Sequence, residues 1–285
     1  GYPPGKRRCF PSLLTFALGM QLLAGHAQTT WYSLLLAGLW AIFLGFSSTR
    51  GFLDLHGPVS SPSAGSPPSL RIFSIFNLPR SWQPIAWLIL AGLLAIALAA
   101  GQLLPTAEYL LHSQRESGLD LDFALGYSFS PWHFLTLALP DFFGNPGHGN
   151  YSGYANYWES AVYIGLLPFL LALRAILSSF RKHSSAKDHR PVIWFLLLVT
   201  VISFTFALGK NTPLYPWLYR HVPTFDMFLG PARWSLWAEF ALALLAGYGV
   251  QFWQRPEGKS LYWTRLGTAG SFAARGGGVL ARVFS

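Results

Sequence analysis

Long apolar runs separated by short polar turns set the rhythm of this chain. Six such stretches can be read: Phe10–Ala24, Trp31–Phe46, Trp82–Leu104, Tyr157–Leu177, Pro191–Gly209 and Trp234–Phe252. A bilayer core of about 30 Å needs about 20 helical residues. Trp82–Leu104 and Trp234–Phe252 meet that length well, and Pro191–Gly209 adequately. Phe10–Ala24 and Trp31–Phe46 are short and would span only with flanking residues or a locally thinned bilayer. The polar link Gly25–Thr30 joins those two as a helical hairpin, with a buried hairpin of a soluble fold as the alternative for the pair alone. The pattern predicts an all-α fold, a polytopic transmembrane helical bundle of about six spans.

The breaks in the pattern divide the chain. Residues 1–46 form the N-terminal hairpin. Residues 47–81 hold a Pro/Ser-rich linker, Pro58-Val-Ser-Ser-Pro-Ser-Ala-Gly-Ser-Pro-Pro68, with no apolar core. Residues 82–253 carry the main bundle, with a long loop over 105–156, and 254–285 form a basic, Gly-rich tail. Within the loop, Phe123–Leu139 is too interrupted to span and too apolar for water. It is expected as interfacial helix or as a segment dipping back into the protein. Trp31, Trp82, Trp158, Trp234 and Trp253, with Tyr32, Tyr157 and Tyr248, sit near span ends and predict aromatic belts at headgroup depth.

Charge gives these spans a direction. Only 11% of residues are charged, against about 25% in soluble domains. Crossing the bilayer at every stretch puts 16 of the 20 Lys and Arg residues on the side of Lys6, Arg7 and Arg8. Only Arg115, Lys210, Arg220 and Arg233 lie on the other side, with Glu108, Glu116, Asp120, Asp122, Asp141, Glu159 and Asp226. The positive-inside rule therefore predicts cytoplasmic N- and C-termini. The net charge of +9 does not indicate nucleic acid, because the basic residues are spread over every cytoplasmic segment. The lone Cys9 excludes an intrachain disulfide. The chain begins at Gly1 with no signal peptide and is read as a piece lacking an upstream part.

Chemistry is sought in the outer segments. No phosphate-cradling loop, His-Glu-x-x-His or Cys pair is present. Asp141, behind Pro140 at the end of an apolar run, is a candidate base if buried, with helix capping as the alternative. Glu116, near Asp120 and Asp122, is a second candidate base. That group leaves a divalent metal open as cofactor, against a simply solvated acidic face. Arg233, beside the last span, and Arg115 are candidate phosphate ligands, and Arg233 reads equally as a snorkelling anchor. Aromatic, Asn and Gly residues over 145–157 are compatible with sugar binding or with an ordinary turn-rich loop. Glu239 lies inside the last span, with Gln102 or a tyrosine hydroxyl expected as partner. The histidines show no ligand spacing, and no metal site is expected from them.

These residues also resemble a known family. Gly25-His-Ala-Gln-Thr-Thr-Trp-Tyr32, Leu103-Leu-Pro-Thr-Ala-Glu108, Ser113-Gln-Arg115, Leu139-Pro-Asp-Phe-Phe-Gly144, Tyr163-Ile-Gly-Leu-Leu-Pro168, Thr212-Pro-Leu-Tyr215, Pro223-Thr-Phe225 and Pro231-Ala-Arg233 follow the order of landmarks in bacterial YfhO-like membrane proteins. That family is similar to the GT-C glycosyltransferases. The resemblance implies an inner-membrane enzyme that moves sugar from a polyprenyl-phosphate donor to a cell-envelope acceptor at the outer face. A carboxylate would deprotonate the acceptor and basic residues would hold the donor phosphate. The family places its key acid in the first outer loop. Here Gly25–Thr30 contains no Asp or Glu, so the resemblance expects that acid upstream of this chain. A transporter or flippase built around Glu239, or a non-catalytic scaffold, are the alternative functions.

Overall fold

The computed structural model describes residues 10–49, 79, 82–112, 120–181 and 189–254. The described residues are helical, with no strand among them. The helices are α1 (Phe10–Leu23), α2 (Ala27–Thr49), α3 (Gln83–Leu111), α4 (Leu121–Ala124), α5 (Tyr157–Ser160), α6 (Leu166–Phe180), α7 (Arg190–Ala207), α8 (Leu214–His221) and α9 (Ser235–Gln254). Short 3₁₀ turns join them between α4 and α5 and between α7 and α9.

Three helices are long and apolar enough to cross a bilayer, over Ala27–Ser47, Gln83–Tyr109 and Arg190–Ala207. The chain is a membrane protein on that ground. The stretches over α1 and α6 are apolar but shorter. The expected six spans are thus met by length and composition in three places; α1, α6 and α9 enter the bundle by packing beside them. α1 packs on α3, α2 also meets α3, and α6 and α7 both pack on α9. Stacking of Phe43 on Phe195 at 4.6 Å ties α2 to α7. The core is accordingly double: a small one of Leu18, Ala91 and Ala95 between α1 and α3, and a larger one around α7 and α9.

Lipid-facing helices cannot gain hydrophobic energy by meeting each other, so close backbone approach must hold them. Gly249 of α9 shows this. A Cβ built there would lie 2.0 Å from the carbonyl oxygen of Leu171 in α6. Ala172 and Ala175 of α6 and Ala238, Ala241 and Ala246 of α9 are buried and small in the same way. Hydroxyls supply the polar ties: Ser203 of α7 donates to the Trp234 carbonyl at 2.6 Å and accepts from the Ala238 amide at 2.9 Å.

Two breaks differ from the sequence pattern. α3 does not stop at Leu104 but runs through Pro105 to Leu111. Proline removes the donor to the Gly101 carbonyl, and the Thr106 hydroxyl bonds to the next carbonyl, that of Gln102, at 2.8 Å. Tyr157–Leu177 is not one helix. Its chain turns extended after α5, and Gly165, at φ +94°, starts α6 afresh. The linker over 47–81 and the tail over 254–285 lie almost wholly outside the described residues.

One end of the bundle carries a layer built from 120–165 and 208–234. The Phe129 amide bonds to the Ala207 carbonyl at 2.8 Å and the Asn211 amide side chain to the Phe129 carbonyl at 2.8 Å. The layer therefore caps the end of α7. Replacing Gly249 by alanine should lower stability by about 1–3 kcal/mol, since backbone would have to move. Gly247→Ala, facing open space, should not lower it. Thermal unfolding of the two variants in one detergent checks this; equal loss in both would contradict the close approach.

Candidate functional site

Where the layer meets the bundle, two distant segments converge on Arg233, those of Gln28 and Glu159. The turn before α2 is set by Gly25 at φ +75° and by His26, whose Nδ1 accepts from the Thr29 amide at 3.2 Å as a helix cap. That cap presents Gln28 to the centre of the layer. The Gln28 Nε2 donates to the Tyr32 hydroxyl at 2.8 Å and to the Leu229 carbonyl at 2.9 Å. Its Oε1 accepts from the Arg233 Nη1 at 2.7 Å. In the second segment, Asn156 caps α5 by accepting from the Glu159 amide at 3.1 Å. The Glu159 carboxylate then takes the fork of Arg233: Nε to Oε2 at 2.8 Å and Nη2 to Oε1 at 2.5 Å.

Three of the five guanidinium N–H groups are thus used. Two remain without a partner among the described residues, on a side chain that is 35% exposed. Hydrogen bonding to Glu159 holds the Arg233 guanidinium above its already high ordinary pKa. Gly230, at φ +79°, makes the turn that brings Arg233 to the pair. Below it lies a dry aromatic floor. Trp234 is fully buried, with Tyr32 at 4.5 Å, Trp237 at 4.8 Å, Phe206 at 4.9 Å and Trp31 at 5.3 Å between ring centroids. Beside this floor, burial pushes the Tyr215 hydroxyl up to about 12.

The sequence-derived candidates fall differently. Arg233 is neither a loose anchor nor an isolated cation; it is held in place by Glu159 and Gln28. Asp141 is exposed, not buried behind Pro140, and accepts from the Asn145 Nδ2 at 3.1 Å. It joins no helix cap and makes no hydrogen bond or ion pair with Arg233. Glu116 and Arg115 lie outside the described residues. Asp120 caps α4 through the Phe123 amide at 3.3 Å. No three His, Cys, Asp or Glu side chains among the described residues gather as a metal site would need. Of the belt tryptophans, Trp82, Trp158 and Trp253 are exposed as expected, whereas Trp234 forms the core.

The loop over 141–157 closes on itself. Gly144, at φ +80°, lets Asn150 approach so closely that a Cβ would stand 2.2 Å from its carbonyl oxygen. The Asn145 amide donates to Asn150 Oδ1 at 2.8 Å, and the Ser152 amide donates to the Phe143 carbonyl at 2.8 Å. Tyr154 is left at the surface with Lys210 bonded to its hydroxyl and lying 4.7 Å from its ring centre. His133 is 3% exposed, 4.7 Å from the Phe143 ring, and neither ring nitrogen has a hydrogen-bond partner among the described residues.

Glu159 was legible only as one of several outer carboxylates, and Gln28 only as part of a motif. Their partnership with Arg233 spans 74 and 205 positions, which no local spacing reveals. No family model, curated protein or solved structure matches this chain.

Two outcomes follow from this geometry. In a double-mutant cycle, Glu159→Gln and Gln28→Leu should each cost about 2 kcal/mol, and Glu159→Gln with Arg233→Gln should couple by about 1 kcal/mol or more. Purely additive unfolding energies would contradict the clasp. His133 adds a pH dependence. Burial lowers its folded pKa below the ordinary 6.5, so the unfolded chain binds a proton that the folded chain refuses. This contribution is fully present above pH 6.5 and is lost as pH falls from there toward the lowered folded value. Melting curves should show that loss, and His133→Phe should flatten it; an unchanged slope would contradict burial of a neutral ring.

Proposed function

We propose that the chain is part of an integral membrane glycosyltransferase, taking sugar from a polyprenyl-phosphate donor at the outer face of a bacterial inner membrane. The observation that carries this reading is the held fork of Arg233, with two spare N–H groups, at the layer end of apolar helices. A polyprenyl phosphate has its charged group at headgroup depth and its tail in lipid, which matches that placement. Glu159 cancels the charge of Arg233, so the phosphate would be held by directed hydrogen bonds more than by net attraction. The convergence of the Gln28, Tyr32, Tyr215, Phe225 and Arg233 segments, all within the family-like motifs, adds support.

In this reading the acceptor hydroxyl attacks the anomeric carbon as the bond to phosphate oxygen breaks. The hydroxyl proton passes to a carboxylate, and the Arg233 N–H groups take up charge growing on the leaving phosphate. The resemblance expects that carboxylate upstream of this chain; within it, Asp141, although exposed, and Glu116 are the carboxylates to test, and the exposed Tyr154 and Lys210 offer a sugar-sized aromatic and cationic edge. A multi-pass topology with cytoplasmic termini belongs to the same proposal. A transporter or flippase built around Glu239 is the alternative reading, and substrate uptake into vesicles that Glu239→Gln abolishes would favour it.

The test is transfer from a short-chain polyprenyl-phosphate sugar by the full-length protein in proteoliposomes. Arg233→Lys, which keeps charge but loses the fork, should slow transfer about tenfold or more. Asn in place of whichever carboxylate is the base should slow it about a hundredfold or more. Undiminished transfer in Arg233→Lys, and in both Asp141→Asn and Glu116→Gln, would remove these residues from the reaction.

A further inference from the structure

The 3₁₀ run Pro131–Leu137 is inside out. Three residues make one turn of such a helix, so every third side chain falls on one edge. The edge of Trp132, Leu135 and Ala138 is exposed, Trp132 by 73%, and Leu139 beyond it is exposed as well. The other two edges turn toward the protein, and they hold the polar side chains of the run: His133 and Thr136 are buried, with Leu137 beside them. A turn bathed in water would show the reverse, with its polar side chains out and its indole in.

Charge marks the same stretch. No Asp, Glu, Lys or Arg occurs from Phe123 to Pro140. Exposed carboxylates stand at its two ends, Asp122 and Asp141. The level of the run is set by α7. The Phe134 ring meets the Phe204 ring edge-on at 5.1 Å, and the Phe129 amide is bonded to the Ala207 carbonyl, so the run lies beside the last turn of that helix. α7 is one of the helices long and apolar enough to cross a bilayer, and its 18 residues reach about 27 Å. A hydrocarbon core of about 30 Å needs the whole of that length, so the last turn of α7 stands where acyl chains meet headgroups. The exposed edge of the run stands at the same level.

We propose that the edge of Trp132, Leu135, Ala138 and Leu139 is inserted in the bilayer, at the boundary of headgroups and acyl chains around the Ala207 end of α7. The partner of this surface is the lipid leaflet itself, continuous with the lipid that surrounds α7. Indole suits that depth, with its ring in the apolar layer and its N–H within reach of water. Irregular backbone enters lipid only where its polar groups are answered within the chain. Here the Ser130 carbonyl accepts from the His133 amide at 2.9 Å, the His133 carbonyl from the Thr136 hydroxyl at 2.6 Å and the Leu135 carbonyl from the Leu139 amide at 2.9 Å. The flanking carboxylates stay in water, which keeps the insertion shallow, about 5–10 Å. This insertion follows from the fold and needs no transferase activity.

The test uses Trp132→Cys, Leu139→Cys and His148→Cys, each alone in a Cys9→Ser background. Each cysteine carries a polarity-sensitive dye, on the full chain in phosphatidylcholine vesicles. All three replaced side chains are exposed, so the labelled chains keep the fold, and His148, in the loop over 141–157, is the water-facing control. Two quenchers are compared: a nitroxide on the upper acyl chain of the lipid, and iodide on both sides of the bilayer. The nitroxide should quench the dyes at 132 and 139 about threefold more than the dye at 148, and iodide should show the opposite order. Equal iodide quenching at the three positions would overturn the proposal, because the edge then faces water. Dyes at 132 and 139 shielded from both quenchers would overturn it as well, because protein then covers the edge.

Discussion

The bidentate bond between Arg233 and Glu159 joins parts of the chain that sequence keeps far apart. Glu159 sits on a short helix in the loop layer, Arg233 on the turn that leads into α9, and Gln28 on the first turn of α2. Without the fork, α5 has few other ties to α9, and the partly buried Glu159 would be left unpaired. Beneath it, Trp234 fills the junction between α2, α7 and α9, while Ser203 holds the Trp234 carbonyl and the Ala238 amide at the start of α9. The polar clasp and the aromatic floor act as one joint: the floor keeps water from the carboxylate side, and the clasp sets which way the floor closes.

That joint also explains why the layer is ordered although it holds little regular helix. Its backbone groups are answered one at a time. Ser128 accepts from the Lys210 amide at 3.0 Å and donates to the Leu125 carbonyl at 2.7 Å. Gly209, at φ +49°, is required there, since a Cβ would come within 2.2 Å of the Ser128 hydroxyl. Each such bond is worth about 1 kcal/mol net, but leaving its buried partner unmade costs more. A layer of this kind is specified by the sum of its satisfied groups and holds donors such as the spare Arg233 N–H groups at fixed positions.

The helices were legible because membrane helices are written in long apolar runs, and α2, α3 and α7 stand close to where those runs lie. Their packing faces were not. In α9 nearly every residue is apolar, so nothing in the run separates the buried Ala241 from the exposed Ala243. Trp234 was read as a belt residue because position at a span end says nothing about direction; its burial depends on Phe225 and Phe206 arriving from elsewhere. The break before α6 depends on the positive φ of Gly165, which a glycine permits but does not announce. The sequence singles out Arg233 but not its partners, and Pro140 suggests a burial of Asp141 that the self-closed loop does not provide.

The topology we propose puts 120–165 and 208–234 on one side of the membrane and the far ends of α6 and α9 on the other. Single cysteines placed at Asn150, Lys210, Arg181 and Gln254 in a Cys9→Ser background measure this directly, using a membrane-impermeant thiol reagent on intact cells. Labelling of the Asn150 and Lys210 positions alone, with the Arg181 and Gln254 positions reacting only after permeabilisation, is the predicted result. Labelling that separates Asn150 from Lys210, or joins either to Arg181, would contradict the account.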